Sequence, residues 1–182
     1  MDAWWHEVWI TLQAEFADIG DASQLTRITV RLLIAALLGA ILGFEREQKG
    51  KAAGVRTHML VAMGAALFVL VSQQIGMEKD DMSRVIQGLT AGVGFLCAGT
   101  ILKGHNAGDV KGLTTAAGLW LTAAMGVAAG LGRELTAVLA TLLALVILAV
   151  VPVLVKLIDK PQPLIAEDAS QDLPSPRTQR ED

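Results

Sequence analysis

The sequence predicts an all-α, polytopic membrane protein: about five transmembrane helices in a compact bundle, preceded by an interfacial amphipathic helix. Three observations carry this. Hydrophobic residues make up 53% of the chain and mean hydropathy is +0.50, above the roughly 45–50% apolar content of soluble domains even with glycine counted. The apolar residues gather into runs at about 27–44, 59–75, 86–102, 113–131 and 135–157, each close to the length that crosses about 30 Å of hydrocarbon at about 1.5 Å per residue. The runs show no period-2 alternation, and a helix satisfies its own backbone groups where water is absent.

Residues 1–26 form the first segment. Trp5, Val8, Trp9, Leu12 and Phe16 recur at helical spacing while Glu7, Gln13 and Glu15 take other faces, the pattern of an amphipathic helix lying at a bilayer surface. The N-terminus lacks the basic region of a secretory signal, its first basic side chain beyond histidine being Arg27, so no cleavage is expected. The transmembrane domain is expected over 27–158, with Arg31 snorkelling outward from the first turn of its first span. Pro152 falls inside the fifth span as a potential kink. The tail over 159–182 carries four of the five prolines among polar residues, and is expected to be disordered and cytoplasmic.

Within the spans, Gly39 and Gly43, Gly88 and Gly92, and Gly126 and Gly130 are each four residues apart. This spacing lines small residues on one helix face and lets backbones approach closely in lipid. A tightly packed bundle is expected, not a wide pore. Cys97, the single cysteine, excludes an intrachain disulfide and reads as a small packing residue. A short echo, Gly54-Val55-Arg56-Thr57 against Gly112-Leu113-Thr114-Thr115, would relate the first hairpin of spans to the second if it were a true repeat, but the match is short and composition-biased.

Orientation follows from the basic residues of the connections. Arg46, Lys49, Lys51, Arg56, Lys103, Lys111, Lys156 and Lys160 fall on one side and outnumber Arg27, Arg31, Lys79, Arg84 and Arg133 on the other. The expectation is N-terminus periplasmic, C-terminus cytoplasmic.

The chemistry concentrates in the first connector, where Glu45, Arg46, Glu47, Lys49, Lys51, Arg56 and His58 crowd between two apolar spans. Glu45 and Glu47 are two apart, so on a continuing helix they diverge by about 200° and cannot chelate one ion together. A shared site would need Arg56 or the threonines that open span four, Thr114 and Thr115. His58, beside Thr57, reads as an interfacial polar cap, with proton sensing as the alternative. Across the membrane, Glu78, Asp80 and Asp81 precede Arg84, and Asp81 suits the N-cap of span three. No nucleophile, base and orienting acid assemble, no close histidine pair supplies a zinc site, and the basic residues form no nucleic-acid footprint. A non-enzymatic protein is expected.

With Gly43-Phe44-Glu45-Arg46-Glu47, Ala53-Gly54-Val55-Arg56-Thr57-His58, Asp81 with Arg84, Gly92-Val93-Gly94-Phe95-Leu96-Cys97-Ala98-Gly99, and Gly112-Leu113-Thr114-Thr115-Ala116-Ala117 with Trp120, the chain resembles the MgtC/SapB family of bacterial membrane proteins. The resemblance spans about residues 28–132. It implies a multi-span inner-membrane protein linked to growth at low magnesium and to survival inside host cells. It carries Glu45, Arg46, Glu47, Arg56, Thr57, Asp81, Arg84, Thr114 and Thr115 over as functional positions. Two departures stand out: Cys97 replaces a glycine common in relatives, and the proline-rich tail is not expected to form the soluble C-terminal domain of longer relatives.

The expected function is support of magnesium or general ion homeostasis, by binding a cation in the bundle or by modulating another membrane protein. The alternative is an ion transporter for Mg2+ or another cation. Partners are the lipid bilayer and another membrane protein or a second copy, with no nucleic acid. No cofactor is expected, Mg2+ being the single candidate ligand.

Overall fold

The computed structural model describes residues 2–15, 20–103 and 110–158. Six helices follow in order: α1 (Asp2–Glu15), α2 (Ala22–Gln48), α3 (Val55–Gln74), α4 (Lys79–Ala98), α5 (Leu113–Gly130) and α6 (Glu134–Ile158). The expected tail and Phe16 of the amphipathic stripe lie outside the described residues. Between α4 and α5 the chain forms a two-residue antiparallel ladder, Leu102 against Lys111 and Lys103 against Val110.

Among the described residues, α2, α3, α5 and α6 are long and apolar enough to cross a membrane. α4 occupies the place of the third expected span, but Lys79, Asp80, Asp81 and Arg84 in its first turns leave it less apolar than the other four. The chain is thus an all-α polytopic membrane protein. α2 begins at Ala22, ahead of the expected boundary at 27, because Asp21 provides a strong start. Its carboxylate accepts the backbone N–H of Gln24 at 2.6 Å and the hydroxyl of Ser23 at 3.0 Å, the arrangement that satisfies a helix's first free amides. Asp81 has no such role. It lies inside the first turn of α4, whose N-cap position belongs to Glu78 without a side-chain bond.

α5 is the hub, packing against α2, α3, α4 and α6. The reason is small side chains on several faces. A Cβ at Gly126 would collide with the carbonyl of Ala62, and one at Gly130 would lie 2.7 Å from that of Ala66. On α2, a Cβ at Gly39 would lie 2.6 Å from the carbonyl of His58, and one at Gly43 2.7 Å from Cα of Val55. Ala35, Ala62, Ala66 and Ala129 fill the layer between these contacts, while Leu38, Leu42, Met125, Ala137 and Ala144 form the layer toward α6. Two of the three expected glycine stripes therefore are helix contacts.

The third is not. Gly88 and Gly92 face open space and line an apolar groove with Phe68, Val85, Leu89, Val93 and Leu96. α4 turns Val93 and Cys97 inward instead, and the Cys97 thiol donates to the Ala116 carbonyl at 3.1 Å, so the cysteine acts as a packing residue on α5. Polar side chains inside the spans are closed locally. Ser72, Thr122 and Thr141 each donate to the carbonyl four residues back, at 2.8 Å, leaving no free hydroxyl proton in an apolar surround. α1 carries Trp4, Trp5 and Trp9 at about 60% exposure, with Trp4 edge-on to Trp5. Among the described residues of its expected stripe, only Val8 is half-buried.

Two outcomes follow. Gly126→Ala should lower unfolding stability in detergent by roughly 1–3 kcal/mol through overpacking, whereas Gly88→Ala should leave it unchanged or raise it. Equal effects of the two substitutions in a thermal melt would refute the packing assignment. At the other end of the scale, the Gln24 amide and Ser23 hydroxyl hold the exposed Asp21 carboxyl below the usual carboxylate range. The cap is therefore complete above the ordinary carboxylate pKa and is lost as pH falls through the lowered value. The protection factor of the Gln24 amide, its exchange rate relative to the intrinsic rate at each pH, should fall on that acidification, and Asp21→Ala should abolish both the protection and its pH dependence.

Candidate functional site at the connector end of the bundle

The buried face of α2 reads Ala35, Leu38, Gly39, Leu42, Gly43, Arg46, stepping by threes and fours as a single helix face must. Arg46 completes that row. Helical geometry therefore carries its side chain into the bundle, where the residue is 2% exposed. Nη2 donates a long hydrogen bond of 3.4 Å to the Thr115 hydroxyl of α5, and Nη1 lies 3.9 Å from the Glu45 carboxylate.

Glu45 points elsewhere on the helix and is ion-paired at 2.5 Å with Lys49 one turn on. The Lys49 ammonium also donates to the backbone carbonyl of Leu148 in α6 at 2.9 Å. Pro152 explains why that carbonyl is available: proline has no N–H, so the bond a normal residue would return to position 148 is missing. The proline expected only as a kink thus creates an acceptor, and the connector lysine fills it.

Glu47 faces away from Glu45, as their spacing requires, and its carboxylate accepts the Val55 backbone N–H at 2.9 Å. It supplies the cap that Gly54, the N-cap residue of α3, cannot give from its own side chain. A Cβ on Gly54 would meet that carboxylate. Gly112 holds the matching N-cap position of α5 at φ +94°, a left-handed conformation that suits glycine. Neither Thr114 nor Thr115 caps α5; Thr114 is exposed and Thr115 turns inward to Arg46.

His58 is fully buried, not interfacial as its place in the sequence suggested. Its Nδ1 lies 2.9 Å from the Gly54 carbonyl. A carbonyl can only accept, so Nδ1 carries a proton, and Nε2 faces Gly118 of α5. In total, Oε2 of Glu45, Nε of Arg46 and Nε2 of His58 are buried without a hydrogen-bond partner, Oε1 of Glu45 being held by Lys49. Such orphaned atoms are uncommon in native interiors, and here they share one locus.

Of the remaining expected positions, Arg56 is exposed and Thr57 half-buried. Asp81 and Arg84 lie exposed at the opposite end of the bundle. Among the described residues neither Arg56 nor Arg84 forms an ion pair, so the expected help from Arg56 is replaced by Thr115 alone.

A second polar locus, at that opposite end, escaped the sequence reading. Arg31 does not snorkel outward. Its Nη1 donates to the Gln73 side-chain oxygen and to the Gly130 carbonyl, each at 2.9 Å, and Nε lies 3.8 Å from Glu134. The guanidinium lies over Gly132, leaving no room for a Cβ there. The signal was present: Arg31, Ala35, Gly39 and Gly43 follow at intervals of four.

The residues present do not fit a divalent-cation site. Among the described residues no three of His, Cys, Asp and Glu converge as ligands. Glu45 is already neutralised by Lys49 and faced by Arg46, and Glu47 is engaged as a cap. Mg2+ requires near-octahedral oxygen coordination, and at this locus it would have to displace one fixed cation beside another.

A family profile described as the MgtC family matches residues 32–157. Protein SrpB of Synechococcus elongatus is 47% identical over 116 residues, covering 58% of this chain and 64% of its own. The putative magnesium transporter YhiD of Escherichia coli K12 is 38% identical over 131 residues, 66% of this chain and 59% of its own. Protein MgtC of Salmonella typhimurium is 44% identical over 117 residues, 64% of this chain and 48% of its own. The chain thus spans about half to two-thirds of the length of the curated relatives it matches. No solved structure matches it.

The Lys49 clamp makes a quantitative expectation. Lys49→Met should cost about 1 kcal/mol of unfolding stability in micelles, and distinctly less in a Pro152→Ala background, where the restored N–H of residue 152 takes the Leu148 carbonyl. A double-mutant cycle should show a coupling of about 0.5–1 kcal/mol. Additive effects of the two substitutions would mean that the proline and the lysine do not share that acceptor.

Proposed function

The chain belongs to the MgtC family, and on that premise we propose that it is a non-enzymatic protein of the bacterial inner membrane that supports magnesium homeostasis by modulating another membrane protein. One observation carries the choice of mechanism. At the connector end two cations, the buried Arg46 and the exposed Lys49, already face the carboxylate of Glu45, so the locus is preset against a Mg2+ ion rather than for one. Burying such charges is costly, and a network kept under that cost suits a rigid platform. The exposed basic residues around it, Lys51 and Arg56, are free to meet an acidic partner surface. In the cell this face is cytoplasmic and the N-terminus periplasmic, following the excess of Lys and Arg at the connector end.

The name of the Escherichia coli relative, putative magnesium transporter, supports a second reading, in which the chain carries the ion itself. Reconstitution separates the two. Proteoliposomes of the purified chain should pass no Mg2+ above empty liposomes, while the same chain restores growth of a deficient strain at low magnesium. Flux that depends on Glu45 or Arg46 would overturn the modulator reading in favour of transport. Arg56→Ala should keep the wild-type melting behaviour, since its side chain is exposed, yet fail to restore growth. Full restoration by that variant would remove the connector's exposed charge from the contact surface.

A further inference from the structure

We propose that the cleft between the start of α2 and the end of α3 binds the phosphate of an anionic lipid headgroup, with Arg27 and Arg31 as its cationic ligands. The cleft, about 470 Å3, lies at the end of the bundle opposite the charged connector, and its polar lining is Gln24, Arg27, Arg31, Gln73 and Gln74. None of these is acidic.

Its hydrogen-bonding sense is set by bonds already made. Gln24 uses its side-chain oxygen to accept the Gly20 N–H at 3.1 Å, and Gln73 uses its oxygen to accept from Arg31 at 2.9 Å. Both donors fix which end of each amide is oxygen, so each carboxamide has its NH2 group left to give. The cleft is therefore rich in donors and poor in acceptors, which is the character of an anion receptor.

Electrostatics points the same way. Gln24, Arg27 and Arg31 step by three and four and share a face of α2, and like charges four apart on a helix repel. Arg31 is partly neutralised by Glu134, at 3.8 Å from Nε, longer than a hydrogen bond. Arg27 is exposed and forms no ion pair among the described residues. The other nearby acid, Asp21, feels the charge of Arg27 but caps α2 and forms no ion pair with it. An anion seated between the two guanidiniums removes their repulsion and takes up their unused N–H groups.

The lipid source is favoured over free phosphate by position. Arg27 and Arg31 stand where the apolar run of α2 begins, the level at which lipid phosphates lie, and Ile28 and Leu70 complete the lining beside the acyl-chain region. Basic pockets between transmembrane helices bind acidic headgroups by the same charge-assisted hydrogen bonds.

The test uses the full chain in neutral-detergent micelles, titrated with phosphatidylglycerol, phosphatidylethanolamine or inorganic phosphate and read by native mass spectrometry and thermal shift. Phosphatidylglycerol should be retained over phosphatidylethanolamine. Arg27→Gln should weaken it about fivefold without changing the lipid-free melt, and Arg27→Lys should keep most of the binding. Arg133→Gln removes an exposed arginine at the same end but outside the cleft, and should leave retention unchanged. Equal retention of the two lipids, or an equal loss with Arg133→Gln, overturns the cleft as a specific site. Inorganic phosphate reproducing the whole effect, with the same dependence on Arg27, overturns the lipid as its source.

Discussion

Two guanidiniums at the ends of one helix face decide how this bundle closes. Arg31 and Arg46 both lie on the inward side of α2, about 22 Å apart along its axis at about 1.5 Å per residue. The hydrocarbon core offers a guanidinium no acceptor, so the inward-facing N–H groups of each are answered by protein. Arg31 takes the Gly130 carbonyl at the end of α5 and the amide of Gln73 on α3. Arg46 takes the Thr115 hydroxyl at the start of α5 and the neighbouring Glu45. With both ends of α2 tied to both ends of α5, the axial register of the two helices is set. α3 and α6 then join through Gln73 and Glu134 at one end and through Glu47 and Lys49 at the other.

Between these polar ends the packing depends on the absence of side chains. Gly39, Gly43, Gly126 and Gly130 each bring a helix within van der Waals range of a neighbour's backbone. In lipid, where burying apolar surface does not by itself drive association, such close contact supplies the dispersion energy that holds helices together. The same closeness shortens the distance between polar groups on adjoining helices. That is how Arg46, His58 and Thr115, from three different helices, are buried at one end of the bundle.

The consequence for function is a division of the connector into two sets of charges. Glu45, Arg46, Glu47 and Lys49 are engaged within the fold: a buried cation, its partner carboxylate, a helix cap and a clamp on the carbonyl freed by Pro152. Lys51 and Arg56 remain at the surface. Sequence proximity puts the two sets together, yet only the first is tied into the fold by the bonds its members make. The orphaned atoms of Glu45, Arg46 and His58 store an electrostatic cost in the first set, as functional loci often do.

The sequence by itself determined the class of the molecule, its helices and much of its charge placement, because apolar run length, helical period and proline or glycine chemistry are local properties. It also determined that Glu45 and Glu47 could not act as a pair, since two residues on a helix diverge whatever surrounds them. The depth of His58, the inward turn of Arg31 and Arg46, the service of Glu47 to α3 and the idle face of Gly88 and Gly92 were decided only in the tertiary structure. Each depends on which neighbour occupies the facing position, and a single helix carries no record of that. A small-residue stripe states that a helix can be approached closely. Only the packed bundle shows whether anything approaches.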